Sequence, residues 1–189
     1  GETQTGVTSF FINDKIDEGN MILSDKINIS PDDNAGSLHD KLLHLGAKVI
    51  LDTLEKIENN TYKEQKQTLS SQLKSAPKIF KKDCLINWNL TATAIHNFIR
   101  GLSPYPAAYT LFTDENKHEN IIKIFKSRTE LVSHNLPSGL IETDNKQYLR
   151  IACKDGFIYV EELQVSGKKR MGIKEFLLGN KLMHLTQCF

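Results

Sequence analysis

The sequence has few cysteines and no long apolar run, and each shortage closes off a class of protein. Cys84, Cys153 and Cys188 are three thiols scattered over 189 residues. They are too few and too far apart for a disulfide framework or a zinc site, so free thiols and no bound metal are expected. No apolar stretch reaches the length of about eighteen residues that a membrane-spanning helix needs. Gly1 to Gly6 is polar and has no apolar signal core, so no secretory signal is expected. There is no glycine-rich phosphate loop and no serine in a nucleophile elbow. The acidic stretch Asp14 to Gly19 lacks the ligand series of a calcium loop. No internal repeat or low-complexity tract is evident. The expectation from these absences is a soluble cytoplasmic protein with no membrane partner.

What is present is an ordinary globular composition. Apolar residues make up 39% and charged residues 25%, enough for one substantial core or one modest domain with an appendage. The net charge of +1 hides a division. Residues 1–75 hold 8 basic and 12 acidic residues, whereas residues 76–189 hold 16 basic and 11 acidic. A polyanionic partner therefore prefers the second part.

Val7 to Ile12 is a β-rich run that begins abruptly, as though cut within a larger protein. Asn13 to Asn20 reads as an acidic loop, and Met21-Ile22-Leu23, extended by Ile27 and Ile29, as a second strand. Ser37 is a plausible helix cap, with Asp40 at the third position. Leu38, Leu42, Leu45, Val49, Leu54 and Ile57 then recur at helical spacing, predicting about 22 residues of helix that stop near Asn59-Asn60. This stripe needs the strands to cover it. Residues 61–83 lose periodicity and carry Lys63, Lys66, Lys74, Lys78, Lys81 and Lys82, as a linker would. Thr91 caps a second helix, and Gly101 suits its end. Short β-like runs follow at Ala108–Phe112, Ile121–Arg128, Gly139–Ile141, Tyr148–Ala152 and Phe157–Leu163. Asp155-Gly156 is a hairpin signal between the last two. This spacing predicts a small closed or partly closed barrel, with a final helix at Ile173–Leu178.

Among chemistry-bearing residues, Asp14, Asp17 and Glu18 share one strand-to-strand loop. They are either a catalytic carboxylate set or an exposed polar turn. His39, His44 and His96 have no partner at ligand spacing. Lys168-Lys169-Arg170, followed by Lys174 and Lys181, forms a second basic cluster beside the linker lysines. Converging clusters of this kind grip nucleic-acid phosphates, although surface lysines are also the ordinary state of a soluble protein.

Ordered motifs carry a resemblance across nearly all 189 residues. Thr5-Gly6-Val7-Thr8, Ile16-Asp17-Glu18-Gly19-Asn20-Met21 and Asp32-Asp33-Asn34-Ala35-Gly36-Ser37-Leu38-His39-Asp40-Lys41-Leu42 resemble the methionyl-tRNA formyltransferase family. So do Ala76-Pro77-Lys78-Ile79, Ile86-Asn87-Trp88, and Ile99-Arg100-Gly101-Leu102-Ser103-Pro104-Tyr105-Pro106-Ala107-Ala108-Tyr109-Thr110. Gly167-Lys168-Lys169-Arg170-Met171 with Glu175-Phe176-Leu177 and Gly179 completes the set.

The resemblance implies an α/β remnant of a Rossmann-like formyltransferase domain followed by an OB-like β-barrel domain. Its boundaries fall at 1–75 for the remnant, 76–88 for an interdomain linker and 89–189 for a tRNA-binding domain. It implies transfer of a formyl group from 10-formyltetrahydrofolate to the amino group of methionyl initiator tRNA. Asp17 matches the family's catalytic aspartate in a Leu-Asp-x-Gly pattern, with Ile16 in the leucine place. Asp14 and Asp17 fall on the folate side. Lys78, Lys81, Lys82, Lys168, Lys169 and Arg170 are the implied tRNA contacts. The family's Asn-x-His pair, its Ser-Leu-Leu-Pro folate loop and its tRNA-gripping insertion are all expected upstream of residue 1. On that reading the 189 residues alone are inactive, and the protein is a monomer. Trp88 and the turn from Arg100 to Pro106 are expected to seat a domain rather than to react. Two other readings stand beside this one: a formyltransferase for a nucleotide-linked amino sugar, and a nucleic-acid-binding module with no enzymatic ancestry.

Overall fold

The computed structural model describes residues 1–68, 74–113, 119–179 and 188. Two compact units divide the chain, Glu2–Lys78 and Ile79–Phe189, with Gly1 grouped with the second.

In the first unit β1 (Gln4–Phe10) and β2 (Met21–Asn28) pair antiparallel, with a bulge between Ser9 and Phe10. Helix α1 (Ala35–Glu58) packs on both strands. It starts three residues earlier than expected because Asn34, not Ser37, caps it. The Asn34 side chain accepts from the Ser37 amide at 2.9 Å, and the Ser37 hydroxyl accepts from the Asn34 amide at 3.1 Å. Asp33 backs this box, accepting from the Ser30 amide at 2.7 Å, the Ser37 hydroxyl at 2.9 Å and the Lys41 ammonium at 2.7 Å. The stripe buries Val49 and Thr53, and Thr53 Oγ1 meets Ser9 Oγ at 2.8 Å on β1. Leu54 was expected in the stripe but is exposed, together with Leu43, Ile50 and Leu51. These four fall on a second apolar face that the periodicity merges with the first.

The second unit is a six-stranded antiparallel sheet with helices against it. Its elements are α2 (Ala92–Leu102), β3 (Ala108–Thr113), β4 (Glu119–Leu131), β5 (Ile141–Thr143), β6 (Leu149–Cys153), β7 (Gly156–Val165), β8 (Met171–Gly172) and α3 (Ile173–Gly179). The strand order is β3-β4-β7-β6-β5, with β8 on β7. β3 and β5 do not pair among the described residues, so of the closed or partly closed barrel that the spacing predicted, the described strands do not show the closed form. Cys188 spans that gap. It forms a bridge to Phe112 of β3 and donates its amide at 2.8 Å to the Gly139 carbonyl ahead of β5. Its thiol is buried, and burial pushes it up to about 12.

The core lies between α2 and the sheet and includes Ile95, Ile99, Ile124, Ile151, Ile158, Leu163 and Phe176. Residues 81–88, expected within a linker, belong to this core: Cys84, Ile86 and Trp88 are buried. Trp88 Nε1 donates to Thr110 Oγ1 at 3.0 Å, and the Ile86 amide donates to the Tyr109 carbonyl at 2.8 Å. Thr91 caps α2 as expected, and Asp155 adds a second partner by accepting from the Ala92 amide at 2.7 Å. Helix α2 runs through Gly101 and ends at Ser103, because Pro104 holds the preceding residue extended. Gly156 closes the β6–β7 hairpin at a place where β4 passes close by. A methyl group there would lie 2.0 Å from the Glu130 carbonyl oxygen.

Two outcomes follow. Gly156→Ala forces β4 and β7 apart and should cost about 1–3 kcal/mol, the usual toll of overpacking. An unchanged urea midpoint would contradict the close approach. The Lys41 hydrogen bond, followed by that of the Ser30 amide, holds the Asp33 carboxyl below its ordinary value of 3.8. Its stabilising contribution is therefore complete above that value and is lost as pH falls through the lower folded one. Stability measured against pH should show an acid decline below about pH 4 that Asp33→Asn makes shallower.

Candidate functional site

The Asp17 loop joins β1 to β2 and is fixed by backbone geometry before any side-chain chemistry. The Phe11 amide donates to the Asn20 carbonyl at 3.0 Å and closes the loop's neck. Gly19 lies so near Phe11 that a Cβ would fall 1.5 Å from its carbonyl oxygen. No other residue fits there. Asp17 itself takes a left-handed backbone conformation, with φ of 56°. Such a conformation is uncommon outside glycine, asparagine and aspartate.

The segment after α1 holds the loop. Gln67 Nε2 donates to the carbonyl oxygens of both Asp17, at 2.8 Å, and Gly19, at 2.7 Å. Asn20 Nδ2 donates to Glu64 at 2.7 Å. Met21 and Gln65 exchange backbone bonds at 2.8 and 2.9 Å, and Phe11 meets Tyr62 edge-on at 5.5 Å between ring centroids. None of these partners was visible from the sequence, where residues 61–83 show no periodicity. The one available signal was Gln65-Lys66-Gln67 in a segment long enough to fold back.

Glu18 pairs with Lys15 at 3.3 Å, so it is a turn carboxylate. Asp14 and Asp17 are exposed and, among the described residues, take no hydrogen bond or ion pair through their carboxylates. Ile12 and Ile16 beside them are 91% and 90% exposed. The loop thus presents free carboxylates next to bare apolar side chains on a hydrogen-bonded backbone. A carboxylate so held can orient a base or accept a proton, but it cannot stabilise an oxyanion, which needs a donor.

The second unit carries a different surface. A cavity of about 500 Å³ is lined by Phe80, Lys81, Tyr105, Lys123, Gln164 and Ser166, among others. Lys81 and Lys82 stand on a short 3-10 turn, Lys81–Cys84, that Asp83 caps by accepting from the Phe80 amide at 2.9 Å. Lys168 and Lys169 follow the turn at Ser166-Gly167, where Gly167 has φ of 75°. The Lys168 carbonyl accepts from Gln164 Nε2 at 2.8 Å, which ties that cluster to the cavity wall. Lys78 belongs to the first unit. Arg170 is committed elsewhere: its guanidinium pairs with Glu162 and lies 4.5 Å over the Phe125 ring. Lys181 lies outside the described residues. Lys123 was not singled out by sequence reasoning, and Tyr105 was expected only to help seat a domain as part of the Arg100 to Pro106 turn. Lys123 was hidden in a β-run, although a lysine between Ile122 and Ile124 marks the water-facing side of the strand.

Comparison with known proteins joins the two surfaces to one family. Residues 1–54 match the family model described as formyl transferase, and residues 78–181 match that of the formyl transferase C-terminal domain. The methionyl-tRNA formyltransferase of Bacteroides thetaiotaomicron is 41% identical over 185 residues, covering 96% of this chain and 58% of that protein. The chain therefore spans somewhat over half the length of such curated relatives. Among solved structures, an N-formyltransferase from Helicobacter canadensis, in complex with folinic acid and dTDP-3-aminofucose, matches with a TM-score of 0.60 and 26% identity, covering 90% of this chain and 57% of that one. HypX from Aquifex aeolicus shares the fold, with a TM-score of 0.64 at 17% identity over 96% of this chain and 32% of its own. With a family model matching more than half of its residues, the chain belongs to the formyl transferase family.

Proposed function

We propose that the protein transfers a formyl group from 10-formyltetrahydrofolate to the amino group of methionyl initiator tRNA, with Asp17 as a catalytic carboxylate. The observation that carries this reading is the Asp17 loop, in which Gly19 and Gln67 fix the backbone while the carboxylate stays unpaired. The identity of 41–45% to methionyl-tRNA formyltransferases supports the choice of acceptor.

The reaction needs a neutral amine, a proton acceptor and a donor at the developing oxyanion. Asp17 orients a histidine and manages the proton, and an asparagine amide supplies the donor. By the family resemblance, that histidine and asparagine belong to the family's Asn-x-His motif. The donor molecule supplies an activated formyl group. Asp14 and Asp17 suit its polar ring edge as acceptors, and Ile12 and Ile16 offer apolar cover.

On the same reading the second unit is an OB-like platform for tRNA. Lys81, Lys82, Lys168 and Lys169 bear most of the phosphate contact, with Arg170 as a further member; Lys78, which belongs to the first unit, is a separate proposed contact. On this reading the protein acts as a cytoplasmic monomer; among the described residues no helix is long and apolar enough to cross a membrane. Transfer to a nucleotide-linked amino sugar is the second reading, favoured by the likeness to the Helicobacter canadensis enzyme. The lysine-rich surface of the second unit suits a polyanion better than a small sugar nucleotide.

In the protein encoded by the reading frame that contains these residues, Asp17→Asn should lower formyl transfer by about 10²–10⁴-fold, the usual contribution of a positioned proton-transfer group. Retention of full activity would remove Asp17 from the catalytic set. Lys169→Glu should weaken tRNA binding and reduce the dependence of log affinity on log salt by about one unit. An unchanged slope takes Lys169 off the contact surface.

A further inference from the structure

We propose that the cavity between Phe80, Tyr105 and Lys123 is a binding site for one unpaired nucleotide of RNA, with the base stacked on the aromatic rings and its phosphates on the lysines. The proposal rests on the tRNA reading above and deepens it, because a phosphate grip alone requires no cavity.

Three observations converge. The first is aromatic exposure: Tyr105 is 85% and Phe80 53% exposed, although the core beside them buries Trp88 and Phe176. They come from separate segments, one ahead of the 3-10 turn and the other after α2, yet both line the same hollow. An aromatic face as exposed as that of Tyr105, in a concave basic site, is what base stacking uses.

The second is the distribution of charge. Most other cations on this sheet are neutralised. Lys126 pairs with Glu161 at 3.2 Å, Arg150 with Glu130 at 2.7 Å and Glu142 at 2.8 Å, and Arg170 with Glu162. By contrast, Lys81 and Lys123 make no ion pair among the described residues, and no carboxylate lines the cavity. An anion entering there meets no carboxylate among the described lining residues.

The third is the polar edge. Gln164 spends its Nε2 on the Lys168 carbonyl and keeps its amide oxygen as an acceptor, while Ser166 adds a hydroxyl. These groups can meet the edge of a base. The cavity volume of about 500 Å³ lies in the range of small-ligand pockets. A paired base stays stacked in its duplex, so the occupant is a base from a single-stranded tail or loop.

The test compares binding of a hairpin RNA with an unpaired 3′ tail against the same hairpin with a blunt end, by fluorescence anisotropy at several salt concentrations. Tyr105→Ala should weaken binding of the tailed RNA about 5–100-fold, as loss of one base–aromatic stack does. It should leave the salt slope and the blunt hairpin unchanged, and Tyr105→Trp should restore affinity. Lys123→Glu should lower the slope. Equal loss on both RNAs, or no loss on the tailed one, overturns the proposal. If Lys169→Glu still changes the slope in that case, the phosphate reading survives. Adenosine monophosphate displacing the tailed RNA at micromolar concentration would assign the cavity to a free nucleotide and also overturn it. Failure of the wild-type protein to bind either RNA would sink the tRNA reading together with this one.

Discussion

The geometry of the candidate site depends on one close approach, that of Gly19 to the Phe11 carbonyl. It lets the loop between β1 and β2 close tightly enough for the Asp17 and Gly19 carbonyls to share the amide nitrogen of one side chain, Gln67. Side-chain carboxylates on exposed loops ordinarily sample many positions. Here the backbone beneath Asp17 is held at two carbonyls, at the loop neck and by the Met21–Gln65 bridge. The side chain's own freedom remains, so the loop supplies a placed but unpaired carboxylate. That is the form in which an aspartate contributes to a composite catalytic centre whose other groups come from elsewhere in the sequence.

The second unit sorts its charges by partner. Glutamates at positions 130, 142, 161 and 162 engage the cations of the sheet, and Arg128 and Arg150 also lie over aromatic rings at 3.6 and 3.9 Å. These pairs tie β4, β5, β6, β7 and the turn before β8 together. Lys81, Lys82, Lys168 and Lys169 stay exposed on turns. Net positive charge therefore concentrates where the chain turns. A sheet whose faces carry compensated arginines and whose turns carry open lysines is suited to gripping a phosphate backbone without reading its sequence.

Much of this was legible in the sequence because the signals were local. Strand alternation, the Thr91 cap and the long helix follow from spacing within a few residues. The ordered motifs around Asp17 and Tyr105 carried the family. The misses were non-local. Asn34 displaced Ser37 as the cap because Asp33 stands behind it, an arrangement of three side chains that no propensity registers. Gln67 was illegible as a loop partner because it lies 50 residues from Asp17. Cys84, Ile86 and Trp88 hid in an apparent linker, since their alternation was masked by the lysines before them. Whether the barrel closes was not legible, because spacing counts strands without saying which edges meet. Tyr105 passed as a structural turn residue because its two flanking prolines explain the chain path without using its ring.

The most direct measurement is a single reaction in which labelled 10-formyltetrahydrofolate meets methionyl initiator tRNA and a dTDP-linked amino sugar in competition. The catalyst is the protein whose reading frame contains these residues. The account predicts that the label passes to the methionyl-tRNA and that the sugar nucleotide stays unlabelled. Label on the sugar with none on the tRNA would contradict it.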